Sequence, residues 1–442
     1  MTALVDDPLL PAAPFLTSDA ASSIVATAVA LTGAELRSCI PVQVQYRPGS
    51  DLVVRYRVTL ATRDTAGQAT VMAGTTAEGP HPGTLALEAD VPDAPPLSVG
   101  VWRWPFDPVL TGLTAAVSPG RVDGLLAGHL VPPLRPDVVV YRPTERAVVR
   151  ITDARGRNVY LKVVPPATLP ALVARHTALG AAGLPVPAVL AADAATGIVA
   201  LAELPGPTVR DLLKGTPGPW PGAAEFLALR ERLATVSVDG VPLRAGRRRD
   251  ASAHAAMLAT VLPSAADRIS RIVAAIGVHG PASGAPTTIH TDLHEAQMIV
   301  ADGRVVGLLD IDDVGPGDPL DDLATLLGHL RYRAATEREV PERAAALDSY
   351  TNRLRAGFTE VVDATQLDAS TAAVLVGLAT GPFRVQATNW QSTVGYVLAA
   401  AESTLMSELS DSPHRPPTSA AQHHIVGTSA GTNRTSRTGA FA

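Results

Sequence analysis

The densest chemistry in the sequence lies between Thr288 and Asp322. His290, Asp292 and His294 alternate along the run His290-Thr291-Asp292-Leu293-His294. On a regular strand all three would share one face and could hold a divalent metal, the basis of a metal-hydrolase reading. In a loop they need not converge. A turn, Ala301-Asp302-Gly303-Arg304, then leads into the apolar strand Val305 to Leu309, which delivers Asp310 at its carboxyl end. Carboxylates on neighbouring segments of a tight hairpin can lie close together, and such a pair suits Mg2+, a hard ion often shared with a substrate phosphate. One carboxylate can hold the metal while the other takes the proton of an attacking hydroxyl. Phosphoryl transfer needs that division of labour, because most of its catalysis is positioning and charge neutralisation.

The basic residues are oddly distributed. Lys and Arg together number 36, yet only Lys162 and Lys214 are lysines. A coding bias toward Arg accounts for the other 34. Lys162 lies in the strand-like run Asn158-Val159-Tyr160-Leu161-Lys162-Val163-Val164, where a point charge and a planar guanidinium are not equivalent. Lys214, in Leu213-Lys214-Gly215, reads as surface. Between Lys162 and Asp193 there is no Asp or Glu; the helix expected over Leu169 to Ala182 offers Arg175 and His176 instead. Either Lys162 finds another carboxylate, such as Asp310, or the site is less pre-organised.

The elements that would carry these residues follow from pattern. Tyr46-Arg47-Pro48 followed by Val53-Val54-Arg55 recurs as Tyr141-Arg142-Pro143 followed by Val148-Val149-Arg150, at the same internal spacing. Both read as strand–turn–strand units, one in an N-terminal α+β module spanning 1–125 and one opening the next unit. Residues 126–204 alternate short strands with one helix. Residues 205–410 are mostly helical, interrupted by a β-rich island from Thr287 to Asp313. Residues 411–442, rich in Ser, Thr, Pro and Gly, read as a disordered tail. The arginine run Arg247-Arg248-Arg249 reads as a solvated face.

Composition narrows the class. The chain has 442 residues, 46% hydrophobic and 18% charged, which is a globular composition with length for more than one domain. A formal charge of −6 argues against nucleic acid as the main partner. The single cysteine, Cys39, leaves no internal disulfide or thiolate cluster. An acidic start without a basic, then apolar, leader and apolar runs far shorter than a membrane span point to a cytoplasmic protein that does not engage membranes.

The ordered motifs resemble the aminoglycoside phosphotransferase-like kinases, relatives of the protein kinases and choline kinases. The family pattern His-Gly-Asp-x-x-x-x-Asn, a strand ending in Asp, and Gly-Asp-Pro-x-x-Asp-Leu-Ala reads here as His290-Thr291-Asp292 with Gln297 at the Asn position, then Asp310, then Gly317-Asp318-Pro319 with Asp322-Leu323-Ala324. The resemblance covers roughly 135–410. It implies a bilobal, protein-kinase-like α+β fold, with a β-rich N-lobe, a mainly helical C-lobe and the additional N-terminal module. It implies ATP or another NTP with Mg2+ as cofactors and a hydroxyl of a small molecule as acceptor.

Carried over by position, Asp292 would orient and deprotonate the acceptor and His290 would brace its loop. Asp310 and Gln297 would hold metal, and Lys162 would pair with the α/β-phosphates. Thr144 and Arg146 would lie over the phosphates from a loop that lacks glycine. Glu203-Leu204-Pro205 would meet the adenine. Asp318 and Asp322 would cap the helix after Pro319. Asp312 and Asp313 are either a solvated loop or face the acceptor. The N-terminal module is either a cap on the acceptor site or a homodimerisation element. The departures at Gln297 and on the helix after Lys162 motivate the alternative of a degenerate, nucleotide-binding protein of the same fold.

Overall fold

The computed structural model describes residues 7–62, 66–89, 96–215, 220–238, 241–244, 246–278 and 285–406. The expected tail at 411–442 lies outside the described residues. Two five-stranded antiparallel sheets lead the chain. The first contains β1 (Glu35–Arg47), β2 (Asp51–Ala61), β3 (Ala66–Thr76), β4 (Leu85–Ala89) and β5 (Leu97–Arg103). The second contains β6 (Arg135–Arg142), β7 (Arg146–Thr152), β8 (Asn158–Val163), β9 (Val189–Asp193) and β10 (Ile198–Ala202). Their strand orders are the same, β1-β2-β3-β5-β4 and β6-β7-β8-β10-β9.

The short repeat seen in the sequence is the visible part of this duplication. Tyr46 and Tyr141 each end the first strand of a sheet, and the turn after each is anchored by a buried aspartate upstream. Asp7 accepts from the Tyr46 hydroxyl at 3.0 Å, the Gly49 amide at 2.8 Å and the Leu9 amide at 3.0 Å. Asp107 accepts from the Tyr141 hydroxyl at 2.8 Å, the Thr144 amide at 2.9 Å and the Val109 amide at 2.9 Å. Gly49 and Thr144 both adopt positive φ, 67° and 62°, so both chains turn alike. A short helix pair follows each aspartate: α1 (Ala13–Leu16) and α2 (Ala21–Ala30), then α3 (Leu113–Ala116) and α4 (Pro119–Leu125).

Helices α3 and α4 pack on the second sheet: Leu110, Leu113, Ala116, Val122 and Leu126 share a buried core with Tyr141, Val149, Ile151 and Leu161, and that core extends to Val53, Met72 and Trp102 of the first sheet.

Helix α5 (Leu169–Ala181) joins β8 to β9, and the chain then becomes helical: α6 (Val209–Lys214), α7 (Ala223–Ala234), α8 (Arg247–Val261), α9 (Ala266–Gly277), α10 (Pro319–Thr336), α11 (Pro341–Phe358), α12 (Ala364–Leu378), α13 (Gly381–Arg384) and α14 (Trp390–Met406). Helices α8 and α9 are separate, because Pro263 lacks an amide proton and ends the first after Leu262. Four short strands sit between α9 and α10: β11 (Thr287–Ile289), β12 (Met298–Ala301), β13 (Arg304–Leu308) and β14 (Gly315–Gly317). The β12–β13 hairpin and the β11–β14 pair carry the motif residues. The bilobal α+β organisation is thus present, with a second, N-terminal copy of the β-rich lobe. No helix among the described residues is long and apolar enough to cross a membrane.

Candidate active site

Asp310, two residues past the end of β13, has a left-handed conformation, φ 53° and ψ 51°, and a single 3-10 turn, Ile311–Asp313, follows. This reversal sends both Asp310 and Asp312 back toward the second sheet. Lys162, on β8 and nearly buried, donates to Asp310 Oδ1 at 2.8 Å and to Asp312. Arg146, at the start of β7, donates to Asp310 Oδ2 at 2.9 Å and reaches Asp312 at 3.6 Å. Burial pushes the Asp310 carboxyl up, but the Lys162 and Arg146 charges prevail and hold it at about 2. Asp310 is therefore ionised at every physiological pH.

Lys162 has no carboxylate partner on α5. Arg175 there donates to the Val314 carbonyl at 3.1 Å, tying the helix to the turn after Asp313 by backbone. His176 faces the Pro187 carbonyl at 2.9 Å. The carboxylate that balances the lysine comes from the other lobe. Asp312 and Asp313, grouped in the sequence reading, part ways: Asp312 sits on Lys162, whereas Asp313 is exposed and pairs with Arg244.

The loop bearing Asp292 is bolted from beneath. Fully buried Asp322, on α10, accepts the backbone amides of His290 at 2.7 Å and Thr291 at 2.8 Å. It was expected to cap α10; Asp318 does that, accepting the Leu320 amide at 3.0 Å. His290 lies close to the Leu309 carbonyl, Nε2 to O 2.9 Å, and donates there, so the ring joins the Asp292 loop to the residue before Asp310. Gln297 holds the same junction by backbone, its carbonyl accepting the Leu309 amide at 2.8 Å. Asp292 itself is 45% exposed, the open carboxylate of the cluster. Its charge contributes to the field on Arg146, which places it on the same cleft.

The trio His290, Asp292 and His294 does not converge, because His290 Nε2 is spent on Leu309. Asp292 and His294 instead approach His329 of α10, a residue the sequence reading did not single out. The His294 and His329 rings stack at 4.0 Å with planes 2° apart. No ion can lie in the planes of two parallel rings at once, so one ring would have to turn before both could ligate. Beneath the stack, buried Glu295 accepts from Arg210 Nε at 2.9 Å and lies 3.4 Å from His294 Nδ1. Burial raises the Glu295 carboxyl, but His294, His329 and Arg210 hold it well below the usual range. Burial and the neighbouring His294 push His329 down to about 3, so its ring is neutral. Gln297 Nε2 is 3.1 Å from His294 Nε2, so its amide is turned toward this stack.

Other candidates lie nearby with their side chains otherwise engaged. The Thr144 hydroxyl donates to the Pro143 carbonyl at 2.6 Å. Glu203 accepts from Asn158 at 2.9 Å, leaving the backbone of Glu203-Leu204-Pro205 as the part of that segment free to meet a ligand. Of the arginine run at the start of α8 only Arg249 is exposed; the other two are engaged. Arg247 donates to the Thr291 carbonyl, and Arg248 donates to Gln366 and approaches Asp318 at 3.9 Å. No local signal separates these arginines from the chain's many others; only the packing of α8 against the Asp292 loop does.

The site thus sets a carboxylate against a lysine and an arginine from the other lobe and bolts it to a second, open carboxylate of its own lobe. Residues 143–358 match the phosphotransferase enzyme family. Among solved structures, aminoglycoside phosphotransferase APH(4)-Ia is 13% identical with a TM-score of 0.47, over 66% of this chain and 99% of that one. A choline/ethanolamine kinase family protein from Mesorhizobium loti is 17% identical with a TM-score of 0.42, over 64% and 92%. Aminoglycoside phosphotransferase APH(3'')-Id from Streptomyces rimosus is 20% identical with a TM-score of 0.39, over 60% and 98%. No curated protein matches the chain.

Proposed function

We propose that the protein is an ATP- and Mg2+-dependent phosphotransferase acting on a hydroxyl of a small molecule, a sugar, amino sugar or aminoglycoside-like compound. The observation that carries this reading is the Lys162–Asp310 pair, in which a carboxylate kept ionised meets the one strand lysine across the cleft. The donor set fits a hard cation: Asp310 offers a carboxylate and Gln297 an amide, both oxygen donors. Bound there, Mg2+ would neutralise charge on the nucleotide phosphates.

The chain's own residues supply the rest. With nucleotide absent, Lys162 and Arg146 screen Asp310. On nucleotide binding both cations would exchange that carboxylate for phosphate oxygens, which frees Asp310 to hold the metal. Asp292 accepts the proton of the acceptor hydroxyl. The new bond forms between that oxygen and the γ-phosphorus, and the bond from the γ-phosphorus to the bridging oxygen breaks, releasing the nucleoside diphosphate. His290, Asp322 and the Gln297 carbonyl keep Asp292 and Asp310 at fixed separation.

The test is transfer of label from γ-labelled ATP to pooled sugars, amino sugars and aminoglycosides, read by a mass gain of one phosphoryl group. Asp292→Asn should abolish the gain. Full transfer by that variant overturns the reading. A specific observation favours a second reading, a degenerate nucleotide-binding protein: the Gln297 amide is turned toward His294. Nucleotide binding without transfer to any pool would support it.

A further inference from the structure

Thr291 is the strained residue of the site. Its φ of 71° lies in the left-handed region, where a β-branched residue is rare because its side chain crowds the backbone. Such a conformation persists only where surrounding contacts over-determine it. Both backbone polar groups of Thr291 are held. Its amide donates to Asp322, and its carbonyl accepts from the Arg247 guanidinium. Asp322 comes from the helix beneath the loop. Arg247 comes from the first turn of α8, on the opposite side of the motif in sequence, and its own amide is fixed on Asp321 Oδ2 at 3.1 Å. The same guanidinium ends 4.0 Å from Asp292 Oδ1.

We propose that Arg247 is a positioning residue for phosphotransfer: it clamps Thr291 in its left-handed conformation and thereby aims the adjacent Asp292. The inference rests on Asp292 being the carboxylate that takes the acceptor proton. Without the clamp, Thr291 relaxes toward negative φ. The peptide that joins it to Asp292 then rotates and the carboxylate swings away from the acceptor. Nothing in this chain of events touches the nucleotide, so the defect is confined to turnover.

The clamp is needed only because residue 291 carries a Cβ, and that makes the proposal separable from a general structural role. Glycine adopts this conformation without penalty. Four chains test it: wild type, Arg247→Gln, Thr291→Gly and the double variant, with Asp292→Asn as control. The acceptors are pooled sugars, amino sugars and aminoglycosides with Mg·ATP. Hydrogen exchange is followed over 288–297 in each. In Arg247→Gln, kcat should fall about tenfold or more with the KM for ATP within about twofold, since small misplacements of a reacting group are costly. Exchange over 288–297 should rise. Adding Thr291→Gly should restore kcat to within about threefold of wild type and return exchange to its original rate. Wild-type kcat and exchange in Arg247→Gln overturn the proposal. So does a double variant no better than Arg247→Gln. If Asp292→Asn keeps full activity, the catalytic reading fails instead. If no acceptor turns over, hydrogen exchange alone decides: protection unchanged by Arg247→Gln, or lost and not regained in the double variant, rejects the clamp.

Discussion

The two five-stranded sheets share a strand order, a Tyr-Arg-Pro turn and an aspartate that anchors it, yet only the second faces the site. Register locates the difference. Val53 pairs with Gly74 in the first sheet, and its counterpart Val148 pairs with Lys162 in the second. Arg47 pairs with Asp51 across the first turn, and Arg142 with Arg146 across the second. The first turn closes on itself, because Arg47 donates to Asp51 at 2.6 Å. The second sets two like charges opposite each other and leaves Arg146 to reach Asp310. A Cβ on Gly74 would come within 2.7 Å of the Leu52 carbonyl, and Trp102 lies 3.4 Å away, so the first sheet has filled the space where the second holds a lysine. The frame is therefore neutral scaffolding. Two differences on it, one lysine and one arginine, bring two cations of one copy onto Asp310 and Asp312.

That comparison can be broken in graded ways. Replacing Lys162 with glycine, as in the first sheet, should cost the largest effect, a fall in kcat/KM of about 100-fold or more in steady-state phosphotransfer. Lys162→Arg should be nearly as severe, because the guanidinium is larger and differently hydrated. A silent substitution at this position would remove the equivalence of Lys162 with a phosphate-binding group.

Removing the anchoring aspartates sharpens the contrast. Asp7→Ala and Asp107→Ala each strand several buried donors, so each should lower stability by about 2–3 kcal/mol in urea unfolding. Only Asp107→Ala should also raise the KM for ATP, since only its turn carries Arg146. Equal effects on KM would mean that both copies serve the nucleotide. Gly74→Ala should destabilise by about 1–3 kcal/mol through overpacking, with kinetics unchanged.

The smallest effect is a pH dependence confined to the second copy's partner lobe. Burial, with Asp318 adding its charge, raises Asp321 to about 7. A carboxyl whose folded pKa lies above its unfolded value near 3.8 favours the folded state when protonated. Its contribution is whole below about pH 4 and is lost as the pH rises toward 7. Asp321→Asn should therefore stabilise the protein at pH 8 by roughly 2 kcal/mol and do nothing at pH 4, in thermal unfolding at the two pH values.

Much of the site was legible because it is local. His290, Asp292, Gln297 and Asp310 fall within one hairpin and its approach, where spacing and hydrophobic pattern settle their neighbourhood. Lys162 stood out by the rarity of its type. The duplication was legible only in part: the Tyr-Arg-Pro turns are short and similar, whereas Asp7 and Asp107 lie well upstream and act through folding. The partners of Lys162 were not fixed by any motif, because Asp310 and Asp312 reach it only after the chain has crossed between lobes.

What the sequence by itself determined is the type of chemistry, since residue types and their order within a hairpin are local quantities: carboxylates at a turn, a lone strand lysine, an apolar strand to present them. What only the tertiary structure decided is which charges meet. Asp312 rather than a helix glutamate balances Lys162, Asp322 holds a loop rather than a helix end, His329 stacks on His294, and Arg247 clamps Thr291. Electrostatic partners are set by distance in space, and segments far apart in sequence come within that distance only when the lobes and helices pack.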